Sequence, residues 1–352
     1  PLADACRWLE RRAARVLAPR REGRSGRPFW MQGVSFEVQR QPFGVVLVIG
    51  PGNYPLFLPA VHSLHALVAG NAVLLKPAPG TRAVALAFAR LAYDAGIEPE
   101  LFNILPESVE AGRAAMAGGV GKVIFTGSSE NGRDVLATLA ETNTPSIMEL
   151  SGDDAVLVCA DADLDLVVRA LRFGAALNNG QTCIAPRRLI VVEAIADELA
   201  ARLASELKIE RVSDETAAAA RINAAEFALG ASIFSRDETR ARALAAQLQT
   251  GFVVVNDLIV PTADPRMPFG GVKASGFGTT RGEEGLLEMT FPHVVAIRRG
   301  RLHPHFDEPR PGGAHFFASY LRAVHGRTRG RLAAVREFFG ALREQAKNRK
   351  TL

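Results

Sequence analysis

Apolar residues recur at helical spacing over residues 4–17 (Ala5, Trp8, Leu9, Ala13, Val16, Leu17), and an Arg-, Gly- and Pro-rich stretch up to Pro28 ends that pattern. Residues 34–40 alternate as an exposed strand does. Residues 45–49 are a continuous β-branched and aliphatic run of the kind a strand buried on both faces requires. A helix over 57–69 follows, then a second buried strand over 72–76 and a helix over 81–95 closed by Gly96. The alternation continues with strand 101–105, helix 109–117, strand 122–126, helix 132–141 and strand 146–149. After these come strand 155–158, helix 164–177, strand 189–192 and helix 195–207. Helix 214–223, strand 231–234, helix 237–248, strand 252–256, a Gly-rich loop over 268–278 and a strand over 292–298 complete the pattern. Strands and helices alternating at this interval predict an α/β fold with right-handed crossovers and parallel sheets covered on both faces.

With 352 residues, 48% hydrophobic and 22% charged, the chain is long enough for two sizeable cores, and its composition excludes disordered and fibrous classes. Cys6, Cys159 and Cys183 offer neither an even disulfide framework nor a Cys-x-x-Cys pair, so free thiols in a reducing compartment, the cytoplasm, are expected. The seven histidines show no paired ligand spacing; His303 and His305 flank Pro304 as a solvated turn would, and no metal is expected. The first residues carry charges throughout and lack the apolar core of a signal peptide. Residues 41–61 are uncharged, but Pro42, Pro51, Pro55 and Pro59 interrupt them, which predicts strand, turn and helix rather than a membrane span.

Charge is uneven. From residue 298 onward thirteen Lys and Arg stand against four acids, a balance of +9 that leaves the first 297 residues near −4 of the total +5. This basic tail reads as a solvated, partly helical extension; its interleaved Phe316, Phe317, Tyr320, Leu321, Phe338 and Phe339 keep peripheral contact with an anionic membrane open, and no nucleic-acid partner is expected.

Four places carry candidate chemistry. Cys183 lies in Asn-Asn-Gly-Gln-Thr-Cys-Ile-Ala-Pro between a helix and a strand, a turn in which a thiolate can meet a carbonyl carbon, although a lone cysteine is as a rule a small core residue. Glu149 ends a buried strand, where apolar neighbours suit a general base or, equally, a paired structural acid. Asn53, in the turn Gly50-Pro51-Gly52-Asn53-Tyr54-Pro55, could donate to an oxyanion or cap the next helix. Gly127 and Ser128 form a turn between strand and helix that presents N–H groups to a phosphate, though the spacing is not Gly-x-Gly-x-x-Gly.

Taken in order, Gly-Pro-Gly-Asn-Tyr-Pro, Leu-Lys-Pro-Ala, Phe-Thr-Gly-Ser, Met-Glu-Leu-Ser-Gly, Asn-Gly-Gln-Thr-Cys and Pro-Phe-Gly-Gly-Val-Lys-Ala-Ser-Gly closely resemble the aldehyde dehydrogenase superfamily from about residue 42 to 290. The resemblance implies oxidation of a small-molecule aldehyde to a carboxylic acid with NAD or NADP. It makes Cys183 the nucleophile, Asn53 and the Cys183 N–H the oxyanion donors, and Glu149 the base that activates water against the thioester. Lys76 is similar to the lysine that contacts the adenosine ribose and Ser128 to the serine at the pyrophosphate, with Pro51, Gly52 and Gly127 lining the cofactor. It also implies a Rossmann-like cofactor domain over 1–31 and 42–150, an α/β catalytic domain over 151–290 and oligomerisation strands over 32–41 and 291–299, the basic extension following over 300–352. A homodimer or homotetramer is therefore expected.

Three departures qualify this. Pro79 stands where members usually have an acid that grips the ribose, so NADP is admitted beside NAD. The Glu-x-Phe-Gly-Pro block that follows the nucleophile in the family is absent, with several dozen residues around it, which removes a hold on the nicotinamide and gives a degenerate partner subunit as the alternative function. The section before residue 42 is short, and Gly52 replaces a tryptophan common in that turn. Acyl transfer to CoA at the same thiol is disfavoured, because Glu149 would hydrolyse the acyl group.

Overall fold

The computed structural model describes residues 1–23, 25–28, 31, 33–203, 208–299, 306, 312–327 and 330–347. Two compact units are present, one of residues 1–24 and 35–296, the other of residues 25–34 and 297–352.

The first unit contains two largely parallel sheets. One has the order Gly276–Phe277, Ser146–Glu149, Lys122–Thr126, Val45–Ile49, Ala72–Lys76, Phe102–Ile104, with Gly276–Phe277 alone antiparallel. Strand order reverses between Val45–Ile49 and Lys122–Thr126, so the carboxyl ends of these two strands border a topological switch point. The loops leaving them hold Pro51, Gly52 and Asn53 on one side and Gly127 and Ser128 on the other. The β-branched and aliphatic composition of Val45–Ile49 is explained by its place: Val46 and Val48 enter one core with Trp8, Ala66 and Phe88, while Leu47 and Ile49 enter another with Met116, Phe125 and Leu139. Both faces are covered by helices, and each such buried side chain contributes roughly 1.5–3 kcal/mol.

The second sheet has the order Ile209–Val212, Arg188–Val192, Ala155–Val158, Gly230–Phe234, Phe252–Val255, all parallel. The same alternation feeds two cores: Val156 and Val158 face Leu171 and Leu199, and Ala155 and Leu157 face Ile222 and Leu244. A third, three-stranded sheet joins Arg20–Arg21, Val34–Pro42 and Thr290–Arg298.

Several boundaries differ from the sequence expectation. The helix expected over 132–141 runs over Ser129–Ala140, capped by Ser128, whose Oγ accepts from the Asn131 N–H at 3.2 Å. Gly132 is a close-packing residue inside it, since a Cβ there would lie 2.6 Å from the Leu150 side chain. The strand Ile209–Val212 was not expected, because only two of its four residues are apolar. The helix Gly282–Leu287 was missed too, and the loop over 268–278 contains the short strands Val272–Lys273 and Gly276–Phe277.

In the second unit the helices Gly313–His325 and Arg331–Lys347 pack antiparallel, with Phe316 and Tyr320 against Phe338. Residues 204–207 of the expected helix 195–207, and the pair His303 and His305, lie outside the described residues. Among the described residues no helix is long and apolar enough to cross a membrane, and residues 41–61 resolve into strand end, strand, turn and helix.

Candidate active site

Cys183 follows a 3-10 turn, Leu177–Gly180, in which Asn178, Asn179 and Gly180 all adopt positive φ. Left-handed backbone at two non-glycine residues costs of order 1 kcal/mol or more each and persists only where surroundings enforce it. The Asn53 turn supplies the enforcement. Asn178 Nδ2 donates to the Asn53 carbonyl at 2.9 Å, Asn53 Nδ2 donates to the Gln181 carbonyl at 2.7 Å, and Tyr54 Oη lies 2.6 Å from Thr182 Oγ1. Asn53 is thus no helix cap: one amide hydrogen secures the cysteine loop, and its Oδ1 accepts from the Tyr54 N–H at 2.9 Å. Its second amide hydrogen has no partner among the described residues.

Glu149 closes its strand in a buried position. Thr126 Oγ1 donates to one carboxylate oxygen at 3.1 Å, and Thr280 Oγ1 donates to the other in a short hydrogen bond. His62 Nε2 lies 3.7 Å from the same oxygen that Thr126 contacts, and the buried Arg281 guanidinium adds positive charge. Arg281 is itself fixed by donation to the Thr262 carbonyl and by the Phe269 ring, whose centroid lies 4.3 Å away. The Gly-rich loop braces this strand end: Leu150 N–H donates to the Ser275 carbonyl at 3.1 Å, and Ser275 Oγ to the Ser151 carbonyl at 2.8 Å. Gly152 then passes so close to Cys183 that a Cβ would lie 2.5 Å from the cysteine carbonyl oxygen. Gly152, three residues past Glu149, therefore packs directly on the cysteine loop.

The Cys183 thiol is pushed up to about 12, first by burial and then by the negative charges of Glu149 and Asp154; Arg281 and the Ile184 N–H oppose this. Asp154, buried and held by the Gly230 N–H at 3.1 Å, is itself raised to about 7 by burial. Ile184, Leu229 and Phe269 form an apolar cluster against Cys183, with Phe252 and Ile259 at its edge. Cys159 is a fully buried core residue with its thiol likewise raised to about 12, chiefly by desolvation.

On the cofactor side, Lys76 is buried, and desolvation lowers its pKa while Glu107 and Glu110 oppose the shift. A cavity of about 140 Å³ adjoins it between helices Val109–Ala117 and Ser129–Ala140, lined by Ile49, Lys76, Gly112, Arg113, Phe125 and Val135 among others. Gly127 allows the turn to fold tightly, since a Cβ there would lie 2.6 Å from the Phe125 ring, and its N–H donates to the Glu149 carbonyl at 3.0 Å. Ser128 is exposed at the N-terminus of its helix, where its Oγ already accepts from the Asn131 N–H. Pro51 is buried and Gly52 exposed in the facing turn. The cavity lining mixes apolar side chains with Lys76, Arg113, Asn131, Asp134 and Thr138.

Sequence reasoning missed Thr126, Thr280, Arg281, His62 and Asp154. Two histidines in the otherwise apolar run Val-His-Ser-Leu-His-Ala-Leu-Val, and paired aspartates entering a buried strand, were the signals available.

A cysteine turn bonded to the Asn53 turn, with a buried, hydroxyl-bound glutamate ending a nearby strand of a parallel sheet, is the thiol-and-carboxylate site this α/β fold presents. The chain belongs to the aldehyde dehydrogenase family, whose sequence model matches residues 2–209 and 207–295. It is 30% identical over 423 residues to the 4,4'-diapolycopene aldehyde oxidase of Methylomonas sp, covering 96% of this chain and 79% of that protein. It is also 30% identical to the geranial dehydrogenase of Castellaniella defragrans, covering 71% of this chain and 68% of that protein. Among solved structures, the substrate-bound AldH of Staphylococcus aureus superposes with a TM-score of 0.81 over 91% of this chain and 85% of that one, at 20% identity. Gox0499 does so with a TM-score of 0.78 over 85% and 81% at 26% identity. Members of the family use NAD or NADP and oxidise aldehydes. Because the 423-residue alignment exceeds the 352 residues present here, the Methylomonas protein carries residues this chain lacks.

Proposed function

We propose that this chain oxidises an apolar aldehyde to a carboxylic acid with NAD or NADP through Cys183. The observation that carries the reading is the joining of three groups: Asn53 bonded into the cysteine loop, Gly152 packed on the Cys183 carbonyl, and Glu149 three residues upstream of Gly152 with its charge felt at the thiol. A thiol held protonated at neutral pH needs a base, and Glu149 is the carboxylate it senses more strongly. Loss of that proton frees sulfur to form the C–S bond, while the Cys183 N–H and the second Asn53 amide hydrogen hold the oxyanion. The nicotinamide, when bound, supplies the hydride acceptor that turns the adduct into a thioester. Once the thiol proton has passed from Glu149 to solvent, Glu149 takes a proton from water, which attacks the thioester carbon; the C–S bond breaks, Glu149 returns that proton to the departing sulfur, and the acid and the cysteine thiol are released. Lys76 and Ser128 hold the ribose and pyrophosphate, with Pro51, Gly52 and Gly127 shaping the turn around them.

The apolar cluster of Ile184, Leu229 and Phe269 at Cys183, together with relatives named for diapolycopene aldehyde and geranial, supports an isoprenoid-like substrate. Residues 1–31 and 42–150 form the cofactor domain and 151–290 the catalytic domain in this reading. Strands 32–41 and 291–299 form an arm that pairs with a second copy. Thr290–Arg298 favours this, being an outer strand with Phe291, Val294, Val295 and Ile297 all exposed. Three cysteines without a disulfide among them suit the cytoplasm, and the basic extension over 300–352 makes peripheral membrane contact.

A non-catalytic partner role is the second reading. It is favoured by the meeting of the two family matches at residues 207–209, where the block that would hold the nicotinamide ribose is missing.

Turnover of aliphatic, aromatic and isoprenoid aldehydes with NAD and NADP, following reduced nicotinamide, tests this. Activity is expected in the parent and none in Cys183→Ala; silence of the parent with no cofactor binding would transfer the conclusion to the partner role.

A further inference from the structure

We propose that the C-terminal helical hairpin is a docking surface for an anionic phospholipid bilayer, and that it meets the bilayer with one defined face. The two helices touch through Phe316, Tyr320 and Ala323 on the first and Ala334, Phe338 and Ala341 on the second. Phe317, Leu321 and Val324 each follow one of the first set by a single residue, and Phe339 and Leu342 likewise follow members of the second. One residue along an α-helix is a turn of about 100°. All of these side chains are therefore displaced in the same rotational sense from the line of contact. In an antiparallel pair, equal rotation from the contact line brings side chains out on the same side, so the two stripes merge into one apolar face. Phe317 is 63% exposed and Leu332, on the same side of the second helix, 82%, so among the described residues this face is open.

Charge selects the occupant. Arg336 and Arg343 follow Val335 and Leu342 by one more residue and so border the apolar face, where long stems can lie along it with the guanidinium at headgroup level. Glu337 turns the other way: it accepts from Arg322 at 2.5 Å and lies 3.7 Å from His315, so this acid is neutralised away from the apolar side. The remainder of the extension adds to the basic surplus of +9 from residue 298 onward. An apolar face rimmed by arginine, with its acid turned aside, suits an anionic bilayer, whereas a second copy of this chain would bring arginine against arginine. Neither helix is apolar all round or long enough to span, so the contact lies in the interface plane.

This deepens the peripheral contact assigned above and stands apart from catalysis, since vesicle binding is read without turnover. The full chain is mixed with vesicles of phosphatidylcholine alone, or of phosphatidylcholine with phosphatidylglycerol, and floated on a density gradient. Binding to the anionic vesicles, weakened by salt and absent on phosphatidylcholine, is expected. The triple variant Phe317→Ser, Leu321→Ser, Phe339→Ser should lose at least tenfold in binding. Arg336→Gln and Arg343→Gln, at exposed positions that leave the helix contacts alone, should each lose about fivefold on anionic vesicles. Circular dichroism checks that the helices persist in each variant. No flotation of the parent, equal flotation on both vesicles, or retention of binding by folded variants would overturn the proposal. A fall in molecular mass of the triple variant on a sizing column without vesicle binding by the parent would assign the face to a second copy instead.

Discussion

The two carboxylates beside Cys183 are kept in opposite ways. Glu149 accepts from Thr126 and Thr280, one on each oxygen, with His62 and Arg281 supplying positive charge nearby. Asp154 has the Gly230 N–H and, as its neighbour, the like charge of Asp153. The first environment is made for an anion, and the second favours a neutral acid. Both bear on the same thiol, and both push it up. The thiol thus has two carboxylate neighbours held differently, one bonded by hydroxyls on both oxygens and one pushed up to about 7 by burial, and the first is felt more strongly.

Asp154→Asn should have the largest effect on stability. Its pKa of about 7 in the folded protein against an ordinary value of 3.8 means that the folded state holds a proton the unfolded state has lost between those values. Stability therefore falls as pH rises from about 4 to 7, by up to about 4 kcal/mol for roughly three units of displacement. Asparagine keeps an oxygen for the Gly230 N–H and carries no charge. Chemical denaturation should find the variant more stable than the parent at pH 8 and matched to it near pH 4. Equal stability at pH 8 would show that the aspartate is not held neutral, and the contrast with Glu149 would collapse.

How far these environments could be read from sequence follows from distance along the chain. Val45–Ile49, Lys122–Thr126 and Ala155–Val158 announce themselves, because a strand covered on both faces must be apolar at every position. Cys183, Glu149 and Asn53 were legible as a set only through the order of the motifs around them. The hydroxyl that holds Glu149 comes from Thr280, 131 positions away, and nothing local to either residue marks the pair. Ile209–Val212 was invisible for a different reason. As an outer strand it carries Glu210 between Arg188 at 3.0 Å and Arg221 at 2.9 Å, and such charges blunt an edge while erasing the apolar signature of a strand.

Thr280→Val tests the anionic side of the comparison. Valine preserves the branched shape but leaves one Glu149 oxygen without its hydroxyl donor, and hydrogen bonds to charged groups are worth about 1.5–3 kcal/mol. Turnover should fall roughly 10- to 100-fold by the same reckoning. The loss should lie in hydrolysis of the thioester, seen as a burst of reduced nicotinamide followed by a slow steady state. A variant with undiminished steady-state turnover would show that Thr280 merely fills space.

His62→Leu should move stability least, and its sign runs against that of Asp154→Asn. Burial lowers the His62 pKa, so the unfolded chain takes up a proton that the folded protein refuses as pH drops below about 6.5. Part of the parent's stability is thus lost toward acid, where Asp154 contributes in the other direction. His62 Nδ1 has no hydrogen-bond partner, and Nε2 reaches Glu149 only at 3.7 Å, so an apolar replacement of similar size is nearly neutral at pH 8, within about 1 kcal/mol. At pH 5 the leucine variant should be the more stable of the two, by denaturant midpoint at each pH. If it is instead less stable at both, the histidine is a charged partner in the folded protein, and the 3.7 Å approach to Glu149 is an ion pair rather than a contact of a neutral ring.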